Sequence, residues 1–142
     1  MSFLNLENRK KIIAWSLYDF ANQPFSTVIV TFIYSSFFIK NIAINEDAGT
    51  HMWSNSIAIS ALIVAFTSPL LGAIADKGGY RKLFLIFWTY VCIIASFALF
   101  FPLPGEVVKA LFLVVIANIG FEMGGVFCNA YLPDIAPKDK IG

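Results

Sequence analysis

Two carboxylates, Asp19 and Glu122, stand inside long apolar runs of the chain. At membrane depth a carboxylate costs about 2.5–3.5 kcal/mol on insertion scales, so it faces a protein interior or a water-filled cavity rather than lipid. Asp19 falls about seven residues into the first run, roughly 10 Å along a helix that rises 1.5 Å per residue. At about 100° per residue, Trp15, Asn22, Gln23 and Ser26 project within about 60° of it, forming one polar stripe on an otherwise apolar helix. Pro24 lies in this stripe and removes a backbone donor, which favours a kink. Bent helices at a polar stripe point to a solute pathway through the bilayer; the alternative is that Asp19 pairs with a basic residue near the membrane face. Glu122 lies near the middle of the last run and shares a face with Asn118, Gly125 and Asn129. Gly120 and Gly124 form a G-x-x-x-G pair about 160° away, suited to the close approach of another helix. A buried Glu could carry a coupling proton, or it could be a permanently paired structural charge. The pathway candidates are thus Asp19, Asn22, Gln23, Ser26, Asn118, Glu122 and Asn129.

Other chemistry is poorly represented. Cys92 and Cys128 fall inside apolar runs and read as small buried hydrophobes, and His51 stands alone in a polar connection. No zinc spacing, Gly-rich phosphate loop or nucleophile–base constellation is present, so the sequence implies no metal, no cofactor and no enzyme. Ser60, Thr67 and Ser68 can bond carbonyls of their own helix, and Pro69 can kink the second run.

The elements that would position these residues follow from composition. Hydrophobic residues make up 58% of the 142 and charged residues 13%, and the mean hydropathy is +0.76. Soluble domains carry about 25% charged residues, so this surface must face something other than water. The 15 phenylalanines suit a lipid-facing surface. The net charge of +1 gives no reason to invoke nucleic acid. Four apolar stretches, roughly 12–39, 56–75, 83–101 and 110–132, are each long enough for a bilayer core that needs about 20 helical residues. They do not alternate as barrel strands would, and a chain in hydrocarbon must satisfy its own backbone. The expected fold class is an all-α membrane protein of about four transmembrane helices. The first run is too long and too interrupted to be a cleaved signal peptide, despite Arg9, Lys10 and Lys11 before it.

Charge sets the expected orientation. Arg9, Lys10, Lys11, Lys77, Arg81, Lys82, Lys138 and Lys140 fall on one side of the four spans, against Lys40 and Lys109 on the other. The positive-inside rule then places both ends in the cytoplasm. Trp15, Trp53 and Tyr131 lie near the expected span ends, where an aromatic belt would put them.

Between the second and third spans the sequence reads GAIADKGGYRKLFL, from Gly72 to Leu85. This resembles the signature loop of the major facilitator superfamily, G-x-L-a-D-r-x-G-r-r/k, at Gly72, Ile74, Ala75, Asp76, Lys77, Gly79 and Arg81. Tyr80 stands where a basic residue is usual, and Lys82 follows it. Gly72 would permit close helix packing, Gly78 and Gly79 a tight reversal, and Asp76 would accept hydrogen bonds from a helix N-terminus. The resemblance implies that Gly72, Asp76, Lys77, Gly79, Arg81 and Lys82 form a cytoplasmic latch for the outward-facing state. The first span opens WSLYDFANQPFSTVIVTFIY and the last ends FCNAYLPDIAPKDKIG. These stretches resemble the vacuolar amino-acid effluxer-like branch, whose bacterial members open W-x-x-Y-D-x-A-N-x-x-F. Trp15, Tyr18, Asp19, Ala21, Asn22 and Phe25 match that opening, and Leu132, Pro133, Asp134 and Ile135 match the approach to a fifth helix.

The resemblance implies a secondary active transporter of a small solute, working by alternating access across a bacterial plasma (inner) membrane. Eukaryotic relatives export amino acids, which makes amino acids a candidate solute class. It further implies that residues 1–142 form part of the N-terminal six-helix half of a major facilitator fold. Their partners would be the lipid bilayer, a small-molecule substrate and about eight further helices of the same polypeptide, with no nucleic acid. The chain is then expected to be an incomplete portion. The competing readings are a stand-alone four-helix scaffold or regulatory subunit and, weakest, a membrane enzyme.

Overall fold

The computed structural model describes residues 6–132, and among them there are helices, turns and bends but no strand. Four helices are long and apolar enough to cross a membrane: Arg9–Ile42, Glu46–Gly78, Arg81–Ala98 and Val107–Asn129, the first to fourth spans. Lys138 and Lys140 of the charge argument, and Pro133, Asp134 and Ile135 of the motif match, lie outside the described residues.

The first span changes its backbone register where the sequence places proline. It is α-helical over Leu6–Pro24 and π-helical over Phe25–Phe32. It returns to α over Ile33–Phe37 and ends as a second π segment, Phe38–Ile42. Pro24 supplies no N–H, so the ladder cannot continue unbroken past it. Hydroxyls take up part of the slack: Thr31 Oγ1 donates to the Ser26 carbonyl at 2.9 Å and Ser35 Oγ to the Thr31 carbonyl at 2.8 Å. The disturbance expected at Pro24 therefore takes the form of wider turns over the following eight residues.

The second span begins ten residues before the apolar run starts. Asn45 caps it, accepting from the Ala48 N–H at 2.8 Å, and Glu46 and Asp47 in the first turn suit the positive end of the helix. Trp53 is consequently well inside this helix. It is buried against Tyr34 and Phe38, with ring centroids 6.1 and 5.4 Å away. With Ile42, Leu99, Val107, Ala110 and Val114 these rings make the apolar core at this end of the bundle. The third and fourth helices each lie about three residues earlier than their apolar runs suggested, so Leu99–Phe101 and Ala130–Leu132 fall past the helix ends.

The fourth span is the hub. In its apolar window 44% of residues are buried, against 11–17% in the other three. Small residues explain this: a Cβ at Gly120 would lie 2.7 Å from the Cys92 nitrogen and 3.0 Å from the Trp88 carbonyl oxygen, so the third span's backbone rests directly on glycine. The second span is held by one buried polar pair, Asn118 Nδ2 donating to Ser60 Oγ at 2.8 Å. Ser60 passes its own proton to the Ile57 carbonyl at 2.7 Å, and Thr67 bonds the Ile63 carbonyl at 2.6 Å.

Candidate functional site

The first span meets the hub through residues of the WxxYDxAN opening. Trp15 Nε1 donates to the Cys128 carbonyl at 3.0 Å, and Phe25 stacks on Phe121 at 4.9 Å between centroids. These two contacts set the helices side by side and antiparallel. Helical periodicity then carries Asp19 and Gln23 to one flank of the seam, and Glu122 and Asn129 to the same flank. All four are exposed, and Ser26 is half-buried on the same side. Both membrane-depth carboxylates of the chain thus stand on a single open face of the bundle.

The other polar candidates separate from them. Asn118, one turn from Glu122, is buried and committed to Ser60, where it joins two helices. Asn22 is half-buried and lines a cleft of about 480 Å³ between the first and third spans, together with Tyr18, Thr89 and Ser96. A second cleft of about 620 Å³ continues along the same groove, lined by Lys11, Trp15, Tyr18, Lys82, Cys128 and Tyr131.

At the Lys82 end the hairpin between the second and third spans is built in a way the motif only partly anticipates. Gly79 takes the left-handed conformation, φ 67°, and closes the second span, with the Tyr80 N–H reaching back to the Ala75 carbonyl at 2.9 Å. A Cβ at Gly78 would meet the ring of Tyr80, the residue that departs from the family pattern, and that exposed ring would have to turn aside to admit it. Asp76 does not cap a helix with its carboxylate. It accepts from Arg81 Nε at 2.6 Å, while Arg81 Nη1 donates to the Ala130 carbonyl at 3.2 Å, which joins the hairpin to the end of the hub. Lys77 and Lys82 are exposed. Gly72 makes no close approach; a Cβ there would meet nothing within 4 Å. Among the described residues no group of three or more His, Cys, Asp and Glu could hold a metal ion.

Sequence reasoning assigned no role to Tyr18 or Thr89, whose hydroxyls meet at 2.7 Å. The available signal was two hydroxyls within apolar helices, which need partners in hydrocarbon. The Arg81–Ala130 contact had no signal, because a carbonyl acceptor leaves no trace in residue type.

Four packed apolar helices with paired intramembrane polar groups define a multi-pass membrane protein. The family described as vacuole effluxer Atg22 like matches residues 50–142. The uncharacterized MFS-type transporter YxiO of Bacillus subtilis (strain 168) is 35% identical over 133 residues, which are 90% of this chain and 31% of that protein. Autophagy-related protein 22 of Coccidioides immitis (strain RS) is 33% identical over 84 residues, 59% of this chain and 14% of that protein. The chain belongs to the Atg22-like family of major facilitator transporters and is not an enzyme. It spans less than a third of the length of these relatives. No solved structure matches it significantly.

Proposed function

We propose that this chain supplies the first helices of a secondary active transporter that moves a small solute by alternating access. Amino acids are the first solute class to test. The observation that carries this reading is the open face holding both Asp19 and Glu122. Two carboxylates facing lipid would be costly, whereas two carboxylates facing a water-filled pathway shared with further helices are usable. In this reading both ends of the described segment lie in the cytoplasm, the membrane is the bacterial plasma membrane, and the Asp76–Arg81 hairpin is the latch. Asp19 and Gln23 line the pathway beside Ser26, Glu122 and Asn129, with Glu122 the candidate carrier of a coupling proton.

The test uses the full-length protein in proteoliposomes. Asp19→Asn should lower amino-acid flux about tenfold or more while membrane yield stays within about twofold. Glu122→Gln should flatten the dependence of flux on an imposed pH gradient. Wild-type flux in Asp19→Asn would remove Asp19 from the pathway, and a full pH response in Glu122→Gln would end the proton-coupling role.

A further inference from the structure

We infer that Tyr18 is a positioning residue, whose hydroxyl, seated in the notch left by Gly124 and bonded to Thr89, fixes the rotation of the first span and hence the direction of Asp19. The inference rests on the reading of Asp19 as a pathway residue, which it deepens.

The bond has a defined sense. Thr89 Oγ1 donates its single proton to the Leu85 carbonyl at 2.7 Å. The 2.7 Å contact between Tyr18 and Thr89 therefore has Tyr18 as donor and Thr89 as acceptor. Space for that hydroxyl exists because residue 124 is glycine: a Cβ there would lie 2.8 Å from Tyr18 Oη. The next neighbour of that Cβ is Thr89 Oγ1 at 4.0 Å, and no atom of the tyrosine ring comes within 4 Å of it. The notch fits one oxygen. Gly120 and Gly124, a single motif in sequence, thus do different work: Gly120 receives the third span's backbone, and Gly124 receives a side chain of the first span.

Three properties make the position sensitive. Tyr18 lies between the Trp15–Cys128 and Phe25–Phe121 contacts, so it governs the middle of the seam. It lines both clefts of the groove between the first and third spans and stands between them. Asp19 is the next residue, about 100° around the helix, so any outward shift of the tyrosine turns the carboxylate away from its flank.

The geometry dictates a mutant cycle in the full-length protein. Gly124→Ala places a methyl where the hydroxyl sits and should lower flux roughly tenfold. Tyr18→Phe loses one hydrogen bond and should lower it about two- to tenfold. The double variant should return to the Tyr18→Phe level, because the methyl then occupies the vacated notch. Thr89→Val, which adds no bulk, should match Tyr18→Phe and add nothing to it. Rotation is read separately from transport, by the reactivity of Asp19→Cys with a membrane-impermeant maleimide. It should fall in the Gly124→Ala background and return to the level of Tyr18→Phe alone when that substitution is added. A double variant as impaired as, or worse than, Gly124→Ala in both flux and maleimide reactivity would overturn the inference. If the reactivity follows the cycle while Asp19→Asn transports normally, the positioning stands and the pathway reading fails.

Discussion

The first and fourth spans carry similar polar sequences but are held in opposite ways. The fourth is packed on glycine, alanine and a buried amide–hydroxyl pair, Asn118 with Ser60, and nearly half of its apolar window is buried. The first has 17% of its window buried and leaves α-helical register twice. Its far end, Phe38 and Ile42, enters the apolar core, but over residues 15–25 it touches the hub through a few identifiable side chains. A helix gripped along its backbone by small residues has little freedom to turn. A stretch pinned by an indole, a phenol and one ring stack can be re-aimed by a single substitution. The contrast teaches that the two carboxylates, though they share a face, sit on supports of different stiffness.

Breaking the stiff support should have the largest effect. Gly120→Leu drives a side chain into the backbone at Cys92, 2.7 Å from where its Cβ would stand. It should cost about 3 kcal/mol and abolish recovery of folded full-length protein, read by size exclusion in detergent. Weakening the soft support should cost less and show locally. Trp15→Phe removes the bond to the Cys128 carbonyl and should cost about 1 kcal/mol. Amide exchange should speed up in the first span while the fourth keeps its protection; equal acceleration in both would erase the distinction drawn above.

The smallest effect lies outside the spans. Glu106, ahead of the fourth span, accepts from the Leu103 N–H at 2.9 Å and pairs with Lys109 at 3.1 Å. The Leu103 N–H, then the Lys109 ammonium, hold its carboxyl below the usual carboxylate range. Because the folded pKa is depressed, this contribution is present above the unfolded pKa and is lost as pH falls through the folded one. Exchange of the 99–107 amides should therefore rise modestly below about pH 4, and Glu106→Gln should remove that acid dependence.

Much of this was legible in the residues. Apolar runs located four helices because hydrocarbon leaves the backbone no other regular structure. The hairpin was visible in GAIADKGGYRKLFL, and the glycine face of the fourth span in its spacing. What escaped has physical reasons. Polar residues 46–55 extend the second span because Asn45 caps it and helix formation is not confined to apolar sequence. The packing of Trp53 on Tyr34 and Phe38 follows from this longer helix and left no trace in the apolar pattern. Asn118 and Glu122 share a face by periodicity, yet three neighbours pack on that helix and bury one while leaving the other open. Gly78 reads as a turn residue, and its closeness to the ring of Tyr80 left no trace in the spacing.

The end of the fourth span is gripped at groups that every residue possesses. Trp15 and Arg81 both bond main-chain carbonyls, that of Cys128 in the last turn and that of Ala130 just past it; the Cys128 carbonyl accepts from the Tyr131 N–H as well, at 3.2 Å. Neither contact draws on the side chain at 128 or 130, although Cys128, buried at 4% exposure, is still limited in size by its neighbours. Positions 15 and 81 supply the donors, so the chemical requirement of each contact rests on a side chain at one end and on the backbone alone at the other.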